Sequence, residues 1–199
     1  MIGILDYGLG NIKAFQNIYR EHGIELKIIS NYKDISKNFN KLILPGVGSF
    51  DKAIDLLKKN NFFIEILNFV SNDNNKILGI CVGMQILSKG SDEGDSDGLN
   101  FIDGKFVKFK NSICPHVGWN NIELVNNIDL FKGLSDSSYF YFLHSYHLKN
   151  IDQKNIITKT KYNENFISAF QKKNIYGIQF HPEKSHLNGK KILLNFFNL

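Results

Sequence analysis

Cys81 carries a glycine two residues to either side, in Gly79-Ile80-Cys81-Val82-Gly83, and stands at the end of the short apolar run Ile77 to Ile80. That run is too short for a helix of its own and reads as a buried strand. Glycines at this spacing permit a sharp strand-to-helix turn that aims the central side chain outward. A helix opening at Met84-Gln85-Ile86-Leu87 would turn its free amides and positive dipole end toward a thiolate. The stretch therefore fits a nucleophile, although an inert cysteine buried in an α/β core fits it as well. The second feature is His181-Pro182-Glu183. Pro182 favours extended neighbours, so that His181 and Glu183, two apart, can lie on one side. A carboxylate there can orient the imidazole and stabilise its charged form. A free thiol with a pKa of about 8.5 is only a few per cent ionised at neutral pH, and an adjacent imidazole moves more of it into the reactive form. Cys81, His181 and Glu183 together point to a Cys-His-Glu acyl-transfer triad. A metal site from the same three residues is the rival, and a thiol presented at an elbow argues against it.

The elements that must position these residues follow from the pattern of apolar runs and breakers. Ile2 to Leu5 read as a first strand, closed by Asp6-Tyr7-Gly8-Leu9-Gly10-Asn11 and followed by a helix from about Ile12 to His22. Gly8-Leu9-Gly10 lacks the third glycine of a dinucleotide fingerprint, Lys13 standing in its place, and no acidic residue ends the second strand. No cofactor site is expected. Leu26 to Ser30 and Lys41 to Leu44 read as strands, and Pro45-Gly46-Val47-Gly48 follows at the edge where open α/β sheets bind ligands. Helices are expected over Asp51 to Lys58 and Phe62 to Val70. Strand and helix alternating four times argue a parallel sheet with right-handed crossovers. After the breaker-rich, acidic loop Lys89 to Gly98 the pattern turns strand-rich: Lys105 to Lys110, Trp119 to Leu124, Tyr139 to Leu148 and Ile156 to Lys161. The aromatic run Tyr139 to Leu143 reads as buried on both faces. Asn165 to Gln171 and Ile175 to Phe180 form a hairpin, and a helix from His186 to Asn198 closes the chain.

A chain of 199 residues with 43% hydrophobic content can bury one full core, which fits a single domain over 1–199. The N-terminus has no basic leader and no apolar run is long enough to cross a bilayer, so no membrane association is expected. Two cysteines without a C-x-x-C motif support neither a disulfide framework nor a zinc ribbon, and a reducing cytoplasm is the expected location. The net charge of +5 comes from dispersed lysines without a dense basic cluster beside an aromatic platform, so nucleic acid is not an expected partner.

Six motifs in order now resemble the class I, triad-type glutamine amidotransferases, and within them the glutaminase subunits of imidazole glycerol phosphate synthase. They are Asp6 to Asn11, Pro45 to Gly48, Gly79 to Gln85, Pro115-His116-Val117-Gly118-Trp119-Asn120, His144-Ser145-Tyr146, and Gly177-Ile178-Gln179-Phe180-His181-Pro182-Glu183-Lys184-Ser185. The resemblance implies a flavodoxin-like α/β fold with a mostly parallel sheet, flanking helices and a strand-rich second half. It implies that Cys81 attacks the carboxamide of L-glutamine, that His181 acts as acid and base, and that Glu183 holds His181. The oxyanion would be met by the amide of Val82 and by one from Gly46, Val47 or Gly48. Gln85, His144, Ser145 and Tyr146 would contact glutamine. Lys184, Pro115, His116, Trp119 and Asn120 would face a partner, a (β/α)₈-barrel cyclase that receives ammonia and forms a heterodimer with this chain in histidine biosynthesis. Ile86 to Gly94 and Lys184-Ser185-His186 also look similar to a paralogous branch that supplies ammonia to a sugar amidotransferase of surface-polysaccharide biosynthesis. A non-catalytic flavodoxin-like module is the competing class, and it leaves the placement of His181 and Glu183 unexplained.

Overall fold

A computed structural model describes residues 1–35, 39–110 and 113–199. Strands β1 (Ile2–Leu5), β2 (Leu26–Ile29), β3 (Lys41–Leu44) and β4 (Lys76–Ile80) and helices α1 (Ile12–Glu21), α2 (Phe50–Lys59) and α3 (Phe62–Val70) make up the first part. A one-turn α4 (Val82–Gln85) leads into β5 (Ser88–Ser91), β6 (Ile102–Lys108), β7 (His116–Asn121), β8 (Glu123–Leu124), β9 (Tyr139–His144) and β10 (Tyr146–Lys149). Strands β11 (Ile156–Tyr162), β12 (Glu164–Lys172) and β13 (Ile175–Ile178) and helix α5 (His186–Asn198) complete the chain.

The main sheet runs β2-β1-β3-β4-β13-β12-β10-β6-β5, with β11 and β8 attached through β12. From β2 to β13 every neighbouring pair is parallel, as the alternating first half argues, and the order is the flavodoxin-like one that the family resemblance implies. Pairs from β13 to β6 are antiparallel, and β5 joins the far edge parallel to β6. β7 and β9 form a separate antiparallel ribbon.

β1 is buried along its whole length and β4 from Ile77 onward, as central strands covered on both faces must be. Each covering helix turns an apolar stripe at helical spacing toward them: Phe15, Ile18 and Tyr19 of α1, Phe50, Ala53, Ile54 and Leu57 of α2, and Ile192, Leu193 and Phe196 of α5.

Four expectations are corrected. The alternation of strand and helix is incomplete among the described residues, which hold a 3₁₀ turn at Tyr32–Asp34 and no α-helix between β2 and β3. The helix expected over Met84 to Leu87 is a single turn starting at Val82, and β5 begins where a loop was expected at Lys89. Ser88 explains the exit: its hydroxyl donates to the Gln85 carbonyl at 2.7 Å and ends the turn. The expected strand Tyr139 to Leu148 is two strands in different sheets, broken at Ser145. Its aromatic run is buried on one face only, with Tyr139 53% and Leu143 39% exposed, since the ribbon is covered on one side.

Two glycines join the β3 and β4 ends. A side chain on Gly46 would stand 2.7 Å from the Gly83 nitrogen, and one on Gly83 would collide with the Leu44 carbonyl oxygen. Backbone meets backbone there, so neither neighbour can yield. Gly83→Ala is expected to cost about 1–3 kcal/mol of stability, a fall in Tm of several degrees for a chain of this size. Gly90→Ala, whose added carbon meets only the Ser96 carbonyl oxygen at 3.7 Å, should leave Tm unchanged in the same calorimetric scan.

Candidate active site

Parallel pairing sets Ile80 of β4 opposite Ile178 of β13, so the next residues of both strands emerge side by side. The Cys81 amide extends the ladder by donating to the Ile178 carbonyl at 2.9 Å. Cys81 itself takes φ of 55° and ψ of −113°, a strained conformation for a residue with a side chain. That turn lets α4 leave at once and keeps the sulfur in the cleft. The thiol donates toward the Leu143 carbonyl at 3.7 Å, and the Gln179 side-chain amide approaches the sulfur at the same distance.

His181 is held from three directions. Its amide donates to the Tyr141 carbonyl at 2.8 Å, and its carbonyl accepts from the Ser185 hydroxyl at 2.6 Å, while that hydroxyl accepts from the Tyr141 amide at 2.9 Å. Its Nδ1 meets Glu183 Oε1 at 2.9 Å, both side chains being almost fully buried. The expected extended geometry is corrected in one respect: Pro182 opens a 3₁₀ turn over Pro182–Lys184, and that turn folds Glu183 back onto the ring. With Nδ1 engaged, Nε2 is the free nitrogen, buried and without a hydrogen bond of good geometry. Burial, the largest single influence, opposes charge on this ring. The Cys81 charge, hydrogen bonding to Cys81 and the Glu183 carboxylate outweigh it and push His181 up from 6.5 to about 10. The resting pair is therefore imidazolium facing sulfur, the arrangement that activates a thiol.

A cleft of about 200 Å³ opens over the sulfur, and Val47, Gly48, Cys81, Val82, Gln85, His144, Ser145, Tyr146 and His181 all line it. Gly46 lies just behind, packed against Gly83. Tyr7 fixes the preceding residue by donating to the Pro45 carbonyl at 2.8 Å. His144 is on the wall with both ring nitrogens already used: Nδ1 pairs with the Tyr146 carbonyl at 2.8 Å and Nε2 with His116 Nδ1 at 3.1 Å. Burial pushes His144 down to about 3 and His116 to about 4, so both rings are neutral at physiological pH.

Of the residues expected to face a partner, Pro115, Trp119 and Lys184 are exposed and Asn120 is partly so. Pro115 also reaches the cleft. His116 does not fit that expectation: it is 3% exposed, stacked between Tyr162 and Phe142, and faces inward. Alternation along β7 explains this, since Val117 and Trp119 take the outer face and His116 the inner one. Glu93 was missed by the sequence reading. It lines the cleft from the acidic loop, and its Oε2 accepts from the Phe50 amide at the start of α2 at 2.8 Å. The one available signal was an acid in a breaker-rich loop, and only the fold brings it to the cleft.

Titration of the ring resonances by NMR should find His181 protonated through neutral pH, and His144 and His116 neutral until well below it. Because its folded pKa lies above the unfolded one, His181 stabilises the fold fully below about pH 6.5, and this contribution is lost as pH rises through about 10. Cys81→Ala should bring the His181 transition down, since it removes the sulfur's contributions. An unchanged His181 curve in that variant would contradict the pairing.

Comparison with known proteins agrees with the geometry. The glutamine amidotransferase class-I family model matches residues 3–199. Imidazole glycerol phosphate synthase subunit HisH 2 of Methanococcus maripaludis is 46% identical over 200 residues, covering 98% of both chains. Subunit HisH of Leptospira interrogans is 41% identical over 205 residues and the full length of both. In fold alone, PurLQS from Thermotoga maritima superposes with a TM-score of 0.77 at 19% identity, covering 99% of this chain and 97% of the other. With an elbow cysteine, a carboxylate-held histidine and a family match from one end of the chain to the other, the protein belongs to the class-I glutamine amidotransferases.

Proposed function

We propose that this chain is the glutaminase subunit of an imidazole glycerol phosphate synthase, releasing ammonia from L-glutamine for a (β/α)₈-barrel cyclase partner in histidine biosynthesis. The juxtaposition of strained Cys81 with the charged, Glu183-held His181 carries the glutaminase part. Relatives at 46% and 41% identity, both carrying the HisH name, support the pathway. Family membership sets aside the non-catalytic module.

In this reading the Cys81 sulfur attacks the glutamine side-chain carbonyl carbon, and the carbonyl oxygen becomes an oxyanion. The amide of Val82 and one from Gly46, Val47 or Gly48 receive it, each such donor being worth roughly 10²- to 10³-fold in rate. His181 passes its proton to the leaving nitrogen, ammonia departs, and a γ-glutamyl thioester remains. The imidazole then takes a proton from water, whose oxygen attacks the thioester carbonyl. Glutamate leaves and the sulfur regains its starting state. Gln85, Ser145 and Tyr146 are placed to hold the substrate, and His144, its ring committed within the chain, acts through its backbone and as a wall. Glu93 offers the carboxylate that an α-ammonium group requires.

Ammonia would be protonated in bulk water, so a receiving subunit has to cover the cleft. The ribbon beside it presents Val117 and Trp119 of β7 and Tyr139 and Leu143 of β9 to solvent, four large apolar residues on one face. Trp119 stacks on His186 at 5.0 Å, and Lys184 lies over the Tyr141 ring. This is where we place the barrel.

Glutamate release should be measured for this chain with a barrel cyclase, with and without its ribulotide substrate. A Cys81-dependent rate that rises with the ribulotide is expected. A Cys81-dependent rate indifferent to it would move the assignment to the sugar-amidating branch, and an unchanged rate in Cys81→Ala would end the catalytic reading. Trp119→Ala should weaken the complex by about tenfold or more, the loss expected for a central aromatic anchor, as read by titration calorimetry.

A further inference from the structure

Gln179 is completely buried, and its amide bridges two parts of the cleft. Its backbone is fixed by donation to the Ser168 carbonyl at 2.9 Å, and its side chain reaches sideways from the end of β13 to the nucleophile at the end of the neighbouring β4. Nε2 lies 3.7 Å from the Cys81 sulfur, and Oε1 accepts from Gln85 Nε2 at 3.4 Å. In this orientation the amide N–H faces the sulfur and the carbonyl oxygen faces the Gln85 amide. Gln85 is left with a buried Oε1 that has no partner among the described residues, on a residue lining the cleft.

The two polar neighbours of the sulfur act on different ionisation states. A neutral thiol has a proton to give to the Leu143 carbonyl. Once that proton is lost, this carbonyl turns a partial negative charge toward a negative sulfur, whereas the Gln179 N–H becomes a charge-assisted donor. Burial of the site strengthens both effects. Among the described residues, the remaining titratable or charged groups facing Cys81 are His181 with Glu183 behind it, Tyr7 from the loop after β1, and across the cleft His144, Tyr146 and Glu93. Of these only His181 favours the thiolate.

We infer that Gln179 is a positioning residue for the nucleophile: its side-chain N–H selectively stabilises the Cys81 thiolate, and its carbonyl orients Gln85 so that the unpartnered Gln85 oxygen faces the substrate cleft. This rests on Cys81 being the nucleophile. Position 179 thereby links sulfur ionisation to the geometry of a substrate-facing amide.

The test measures iodoacetamide alkylation of Cys81 against pH, read by mass spectrometry of the Cys81 peptide so that Cys114 does not interfere. Gln179→Met keeps the volume and removes both polar functions. Gln179→Glu keeps an acceptor for Gln85 and replaces the N–H with a carboxylate oxygen, which sets negative charge against the sulfur. The Gln179→Met curve should move to higher pH by about one unit, a roughly tenfold slower reaction at neutral pH, and the Gln179→Glu curve should move further. In glutamine turnover both should lose kcat/KM at neutral pH and recover part of it as pH rises, which a merely structural defect would not do. A folded variant of either kind whose alkylation curve overlays that of the parent chain overturns the proposal. The alkylation readout needs no glutamine, so an inactive parent chain would fail the glutaminase reading while leaving this one decided by the curves.

Discussion

The parallel pairing of β4 with β13 is the contact on which the rest depends. These strands are far apart in the chain, and their register of Ile80 opposite Ile178 brings Cys81 and His181 out of the sheet as neighbours. A slip of one residue would reverse the facing of every side chain on the strand and send the imidazole away from the sulfur. Antiparallel pairing with β12 holds β13 from the other side, and Ala169 and Phe170 of that strand are both in the buried core. Much of the second half of the chain thus fixes one strand end against another.

Close approach of backbone completes the arrangement. Gly46 and Gly83 let the loop after β3 touch the turn after β4, and this places candidate oxyanion amides beside the sulfur. Tyr7 ties the same loop to the end of β1. The strain in Cys81 is offset by burial around it, and it delivers what an unstrained strand end would not: a sulfur in the cleft with a helix turn directly behind it. His181 is the electrostatic counterpart, a buried ring held toward its charged form by Cys81 on one side and the Glu183 carboxylate on the other.

The parallel half of the fold was legible because its signals are local. Apolar runs of four or five residues ended by glycine turns, and helical stripes such as Phe50, Ala53, Ile54 and Leu57, mark their own elements. The grouping of Cys81, His181 and Glu183 was legible for a different reason: a cysteine between glycines and a histidine two residues from a glutamate are residue types whose spacings together suit one chemistry. The β9 to β10 region was not legible. Its run of aromatics looks continuous, and only the change of sheet at Ser145 reveals that one face of Tyr139 to Leu143 is open. His116 was misplaced because a motif says nothing about which face of a strand a residue takes. Glu93 and Gln179 act through distant contacts, Glu93 on the α2 amide and Gln179 on Cys81 and Gln85, and such contacts have no local pattern.

The account's central claim is that the Cys81 sulfur carries the acyl group during turnover. Acid quenching of the chain in steady state with glutamine and its partner, followed by mass spectrometry of the Cys81 peptide, tests this most directly. The account predicts a single glutamyl group on that peptide, formed only with glutamine and lost on neutralisation. Rapid glutamate release with Cys81 unmodified at every quench time, and undiminished in Cys81→Ala, would contradict it.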